Sequence, residues 1–231
     1  MDRYVLPFWG IQDPFSALTH LGAAAASVGA TIYLVLATRG SWGKCVSLGI
    51  FGSSMMALYT ASGLYHLVRV TPVERVFYQR LDHAAIYLLI AGTYTAICGN
   101  LLTRGWRWGT LVPIWTIALA GVALKFAYFR IPAPLSTSVY IGMGWLACVA
   151  YRPLARVVSH RAMFWVVLGG VLYTAGAILD LFGRPVLVPG VIGAHEIFHV
   201  LTVGGSLSFF VFVQRHVLPH DPLATSEAAA V

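Results

Sequence analysis

Seven long apolar runs, separated by short breaks that contain arginine, proline or glycine, constrain the fold of this chain more than any other feature. A helix needs about 20 mostly apolar residues to cross a bilayer, and the runs are close to that length. None alternates strictly between apolar and polar residues, as strands of a membrane barrel would. The sequence therefore predicts an all-α polytopic membrane protein, with a single domain over 1–231 and a seven-helix bundle whose spans lie at about 18–37, 45–68, 81–102, 109–129, 135–151, 163–182 and 192–213.

The composition excludes an ordinary soluble domain. Hydrophobic residues make up 58% of the chain and charged residues 10%, whereas soluble domains average roughly 45–50% and 25%. The net charge of +7 comes mostly from single basic residues between the apolar runs. That pattern favours loops beside anionic lipid head groups over a nucleic-acid surface. Membrane lipids are therefore the expected partners, no nucleic acid is expected, and the oligomeric state is left open.

The charges do not orient the bundle. Assigning loops alternately to the two sides places seven Lys and Arg residues on the N-terminal side and eight on the other. The positive-inside rule needs a clear excess on one side, so it does not decide between the two orientations. Residues 1–19 lack a charged segment followed by an apolar one, and no cleaved signal peptide is predicted.

A pair of histidines at the start of the seventh span is the strongest candidate for chemistry. His195 and His199 are four residues apart, so both project from one face of a helix. This spacing suits two imidazoles that converge on one tetrahedral metal ion, which needs at least one further protein ligand. Taken alone, the pair is a weak signal for a metal site, and imidazoles that bond backbone or head groups at the interface are the more common explanation of such spacing.

Topology supplies further candidates on the same side of the membrane. His66 ends the second span, Ser62 lies one turn before it, and Asp82 opens the third span. Because consecutive spans alternate in direction, the end of span two and the starts of spans three and seven emerge at one face. Ionisable residues inside spans are costly and point to function. The sequence therefore predicts a metal site of His66, His195 and His199, with Asp82 and Ser62 as candidate catalytic residues.

Zinc is the predicted metal, because three neutral imidazoles with an open fourth position suit it, although manganese, iron or cobalt also accept such ligands. Haem would use His66 or His20 with one of the pair and leave the other unexplained. Asp82 is interpreted either as a general base or as support for a ligand imidazole. Ser62 is interpreted as a donor to the substrate or as a bond to its own helix. The three cysteines form no CxxC pair, so no thiolate site is predicted: Cys45, Cys98 and Cys148.

The remaining polar residues in the spans have less specific interpretations. His83 points about 100° away from Asp82 and is expected at the interface. His20 is expected to support the first helix, and Lys125 to extend from the end of the fourth span to the head groups. Asp180 and Arg184 are four residues apart and are candidates for an ion pair.

Three separated segments resemble haemolysin III-like proteins, the bacterial branch of the progestin and adipoQ receptor group. The likeness extends from about residue 15 to 215, and the order and spacing of its segments make it specific. Residues 19–22 are also similar to the start of the family's first span. The segments are Ser62-Gly63-Leu64-Tyr65-His66, the run 81–95 beginning Leu-Asp-His-Ala-Ala, and His195-Glu196-Ile197-Phe198-His199.

This resemblance implies seven helices, a cytoplasmic N-terminus in the plasma or inner membrane, and zinc near the cytoplasmic face. The ion would be held by His66, His195 and His199, with Asp82 and Ser62 beside it. Alkaline ceramidases belong to the broader superfamily, which implies hydrolysis of a lipid amide or ester bond. Function still has to be argued from the site.

Two other functions stay open at this point. The first is a non-enzymatic regulator or receptor-like protein, acting in membrane fluidity or lipid homeostasis, with structural zinc. The second is cytolysis, which the family name records, although Lys125 and Asp180 are too few to line a pore. The chain also departs from many relatives, which carry a further histidine downstream of His199, where it has Ser206 and Ser208.

Overall fold

A computed structural model describes residues 10–38, 40–128 and 131–220. Phe129, the predicted end of the fourth span, lies outside the described residues, as do residues 1–9 of the segment searched for a signal peptide. Within the described ranges the chain forms α-helices and one π-helical turn, without a β-strand. The elements are α1 (Pro14–Leu36), α2 (Trp42–Leu67), α3 (Pro72–Leu101), α4 (Arg104–Ala127), α5 (Ala133–Trp145), α6 (Ala147–Val158), α7 (Phe164–Phe182), α8 (Ala194–Phe212) and the π turn (Val213–Val217).

Seven helical segments of the described chain are long and apolar enough to cross a membrane. Helices α5 and α6 make up one of them, Ala133–Val158, which is interrupted at Leu146. Helix α8 runs on through the π turn to Val217, where the Leu218 N–H donates to the Val213 carbonyl at 2.8 Å. An i to i+5 bond of this kind defines the π conformation. The predicted all-α, seven-helix membrane architecture is confirmed.

Helix α3 begins at Pro72, nine residues before the apolar run at 81–102 that predicts the third span. The start is set by reciprocal capping: the Thr71 N–H donates to the Glu74 carboxylate at 2.9 Å, and the Glu74 N–H donates to Thr71 Oγ1 at 3.4 Å. Such capping bonds satisfy backbone donors that the first helical turn leaves free. The first turns of α3 are polar, so hydropathy detects only the later part of this helix.

Helix α3 is the central helix of the bundle. In its apolar window 72% of residues are buried inside the protein, compared with 17–44% in the other six spans. Helices α2 and α4 pack along its sides, α1 packs against α2, and α7 packs against α8. Helix α1 also contacts α8, which brings the end of α2 close to the start of α8.

Close contact between α7 and α8 depends on glycine. A Cβ atom at Gly205 would lie 2.6 Å from the Tyr173 ring and 3.2 Å from the Gly169 carbonyl oxygen, whereas one at Gly204 would meet only Leu172 Cδ1, at 3.5 Å. Small residues let membrane helices approach closely. We expect Gly205→Ala to lower the free energy of unfolding by about 1–3 kcal/mol through overpacking. Thermal unfolding in detergent measures this, and Gly204→Ala is the control; equal melting temperatures would contradict the prediction.

A cavity of about 1060 Å³ lies between the helices. Its lining combines side chains of α2, α3, α7 and α8 with those of α4 and α5. His66 and His195 lie on its wall together with Ser62 and Asp82. The bundle therefore encloses a space that is continuous with the residues the sequence singles out.

Candidate metal centre

Three imidazoles converge where the end of α2 meets the start of α8. His195 Nε2 lies 3.2 Å from His66 Nε2 and 3.1 Å from His199 Nε2. The ligand atoms of the three residues all lie within 4.8 Å of one another, and His66 and His199 are buried. Two nitrogens bound to one tetrahedral zinc at about 2.0–2.1 Å are separated by about 3.3 Å. The observed spacing therefore fits a single metal ion.

Local helix geometry explains why the rings meet. His195 and His199 lie one turn apart at the start of α8, so their side chains share a face. This start is held by Glu196, which accepts from the Gly193 N–H at 2.8 Å and from Ser16 Oγ of α1 at 3.2 Å. Because the Ser16 bond joins α1 to α8, it also fixes the pair relative to the end of α2, where His66 lies.

Two carboxylates contact the outer nitrogens of these rings. Asp13 Oδ2 lies 2.8 Å from His66 Nδ1, and Asp180 Oδ1 lies 3.0 Å from His195 Nδ1. An ionised carboxylate only accepts, so each Nδ1–H donates and each neutral ring keeps its lone pair on Nε2. Two lone pairs 3.2 Å apart repel unless a proton or a metal ion lies between them. A proton bridges two nitrogens, whereas three converge here, so the donor set favours a metal ion.

Asp13 lies just before α1 and has an electrostatic environment suited to ionisation. Burial raises the pKa of its carboxyl, but the hydrogen bond from His66 and the positive charge of Arg75 bring that pKa below its ordinary value. Arg75 Nη2 is 4.0 Å from Asp13 Oδ2. The carboxylate is therefore charged at neutral pH and serves as an acceptor for the imidazole.

Asp82 and Ser62 lie on the wall of the cavity that His66 and His195 also line. Both residues are buried, Ser62 one turn before His66 on α2 and Asp82 on α3. Within the described residues, Asp82 does not belong to the group of ligand atoms formed by the three histidines. Both side chains thus share the cavity with the histidines without joining the ligand set.

The other polar residues have specific contacts. His20 stacks on His199, with ring centroids 3.8 Å apart, and its edge meets Tyr59, so it supports the centre. The expectation that Lys125 reaches the head groups is wrong: it is 6% exposed and donates to Ser136 Oγ at 2.7 Å. Ser206 lies in the segment where many relatives were expected to carry a further histidine. Its hydroxyl hydrogen-bonds the hydroxyls of two tyrosines, Tyr59 and Tyr173.

Sequence reasoning missed the roles of Asp13 and Asp180. Asp180 carried a usable signal, since an acid in the last turn of an apolar span is costly unless it has a partner. Asp13 carried none, because it lies before the first apolar run, in a mixed segment of polar, aromatic and proline residues without a recognisable motif. Its proximity to His66 arises only when the chain before α1 folds against the end of α2.

Comparison with known proteins gives a consistent family relationship. The family described as "Haemolysin-III related" matches residues 8–210. A protein named "Hemolysin-3" from Bacillus cereus is 37% identical over 210 residues, which cover 90% of this chain and 93% of that protein. A "Hemolysin-3 homolog" from Bacillus subtilis (strain 168) is 34% identical over 204 residues, covering 87% and 92% of the two chains.

Proposed function

The chain belongs to the haemolysin-III-related family, and from this premise we propose that it is an integral membrane zinc protein that hydrolyses an amide or ester bond of a membrane lipid. The observation that carries the proposal is the convergence of three Nε2 atoms: that of His195 lies 3.2 Å from that of His66 and 3.1 Å from that of His199. Two of the three rings also donate to carboxylates. This arrangement is typical of histidine ligands to zinc.

Zinc in a three-histidine site supplies Lewis-acid activation of water and of a carbonyl oxygen. The chain's own residues would do the rest. Asp82 is the proposed general base, because it is a buried carboxylate on the wall of the same cavity. Ser62 is proposed to donate its hydroxyl hydrogen to the carbonyl oxygen of the substrate.

The cavity supports a lipid as the substrate. Its volume of about 1060 Å³ is slightly above the roughly 300–1,000 Å³ usual for small-molecule sites. Apolar side chains contribute much of its wall beside the polar ones, among them Leu58, Ile86 and Phe209. A lipid could therefore place its apolar chain among these residues while its carbonyl lies near Asp82.

Release of fatty acid from defined lipids tests the proposal. The purified protein, reconstituted in nanodiscs, is given long-chain amides and esters before metal removal, after removal, and after zinc is restored. We expect free fatty acid, measured by mass spectrometry, to accumulate only with zinc present. Stoichiometric zinc without release from any lipid of the panel would favour the alternative, a non-enzymatic regulator of the membrane in which zinc is structural.

We also propose that the N-terminus is cytoplasmic, as the family resemblance implies, so the metal centre lies near the cytoplasmic face of the cell membrane. The histidine-bearing end of α2 lies beside the chain that leads into α1, so the centre and the N-terminal side share one face of the bundle. A fluorescent protein fused to the N-terminus is expected to fluoresce in cells. An alkaline phosphatase fusion that is active there would contradict this orientation.

A further inference from the structure

The short segment before α1 folds against the end of α2. The Gln12 N–H donates to the Leu67 carbonyl at 3.4 Å, and the Asp13 N–H donates to the His66 carbonyl at 3.0 Å. The Asp13 carboxylate also accepts from His66 Nδ1 at 2.8 Å. Asp13 therefore holds His66 through both its main chain and its side chain, which limits how far the ring can turn.

Asp13 does not use its side chain as an aspartate at the start of a helix usually does. It is the residue that precedes α1, where an aspartate commonly accepts from the N–H groups of the first turn. Here its carboxylate makes no such capping bond. Pro14 at the first helical position lacks an N–H and is already suited to starting the helix. The carboxylate is thus committed to the histidine and not to its own helix.

Arg75 lies near the carboxylate on its other side, and Tyr65 packs against both Arg75 and His66. Arg75 Nη2 lies 4.0 Å from Asp13 Oδ2, and its guanidinium lies 4.8 Å from the centroid of the Tyr65 ring. The Tyr65 ring in turn meets the His66 ring edge-on, with centroids 4.7 Å apart. Contacts from α2 and α3 therefore fix the position of a carboxylate that belongs to neither helix.

We infer that the segment at residues 11–13 is part of the metal centre, and that Asp13 is the positioning residue that sets the zinc affinity of His66. The inference rests on the proposed zinc site. By accepting the Nδ1–H bond, Asp13 keeps the His66 lone pair on Nε2, directed toward the other two rings. Its negative charge also offsets part of the charge of the cation. Losing the hydrogen-bond acceptor on the ring nitrogen that does not bind the metal typically weakens metal affinity about 10–100-fold.

Asp180 makes the same kind of contact with His195, but this pair is more exposed to water than the pair of Asp13 and His66. The Asp180 side chain is 27% exposed and that of Asp13 is 16% exposed, while their histidine partners are 15% and 3% exposed. Water screens a charge pair more effectively as its exposure rises. Of the two carboxylates, Asp13 therefore has the larger effect on zinc affinity.

Zinc affinity of the full-length protein in detergent tests this inference, by competition with a chromophoric chelator at fixed pH. We expect Asp13→Asn to weaken binding about 10–100-fold and Asp180→Asn to weaken it less. The matched control is Glu74→Gln, which removes an exposed carboxylate at the start of α3. The capping bonds of Glu74 are made with Thr71 and not with the histidines. This control is expected to bind zinc as the wild type does.

A second measurement separates positioning from general damage to the fold. We expect the absorption bands of the cobalt-substituted protein to shift in Asp13→Asn and not in Glu74→Gln, because only the first changes the ligand field. If Asp13→Asn does not purify, Arg75→Gln is measured instead, since it loosens the carboxylate while leaving the His66 bond, and weaker zinc binding is again expected.

Unchanged affinity and unchanged cobalt bands in the aspartate variant would overturn the inference and leave the proposed function standing. A wild type that binds no zinc would overturn both. Zinc binding that depends on Asp13 in a protein that releases no fatty acid would support the inference while removing the proposed hydrolase activity.

Discussion

Replacing His199 with alanine is expected to remove nearly all zinc from the purified protein. The wild type should carry about one zinc ion per chain, because three convergent imidazoles are the smallest protein ligand set usual for a single zinc ion. With two ligands left, the loss of affinity should exceed the roughly 10–100-fold that follows loss of an outer partner. Elemental analysis of detergent-purified protein measures the metal, and His66→Ala and His195→Ala should behave in the same way.

His83 provides the control for this experiment. It lies on α3 and lines the same cavity, but it does not belong to the histidine group whose ligand atoms lie within 4.8 Å, among the described residues. His83→Ala is therefore expected to retain the wild-type amount of zinc. Retention of zinc by all three ligand variants would exclude the metal centre, and equal loss in His83→Ala would attribute the effect to damaged folding.

Replacing Asp82 with asparagine is expected to lower the rate of lipid hydrolysis by about 10²–10⁴-fold, the range that general acid–base catalysis contributes. Asparagine is close in shape to aspartate but cannot accept a proton at neutral pH. Because Asp82 lies outside the ligand set, the zinc content should not change. The measurement is the rate of fatty-acid release from the lipid that the reconstituted wild type hydrolyses, with zinc determined on the same samples.

Ser62→Ala supplies the comparison. Removing a hydroxyl that stabilises the substrate oxygen should slow hydrolysis less than removing the general base. The hydrolysis rate of Ser62→Ala should therefore fall by a smaller factor than that of Asp82→Asn. Full activity of Asp82→Asn would refute the proposed base. Loss of zinc together with activity in this variant would instead assign Asp82 to support of the ligands.

The sequence predicts much of the metal centre because its evidence is local. His195 and His199 lie on one face of any helix, since the α-helical period places residues four apart on the same side. The placement of His66 and Asp82 at the same membrane face follows from counting alternating spans. These inferences need no knowledge of how the helices rotate or pack.

The outer carboxylates and the burial of Lys125 could not be predicted in this way. Asp13 is 53 residues from His66, and Asp180 is 15 residues from His195 across the loop that joins α7 to α8. Such contacts depend on the rotation of each helix about its axis and on the distance between neighbours. A sequence pattern contains neither quantity. The sequence therefore suggested that Lys125 extends to the head groups, whereas in the structure it is buried and bonds Ser136 of α5.

The sequence by itself therefore determined the membrane fold and the three histidines. The cost of placing polar backbone in lipid forces each apolar run of about 20 residues into a helix, whatever its neighbours are. Only the tertiary structure decided which side chains contact the histidines from outside. Those contacts are set by the close packing of α1, α2, α7 and α8, which brings Asp13 and Asp180 to the Nδ1 atoms of His66 and His195, on the side of each ring away from the converging Nε2 atoms.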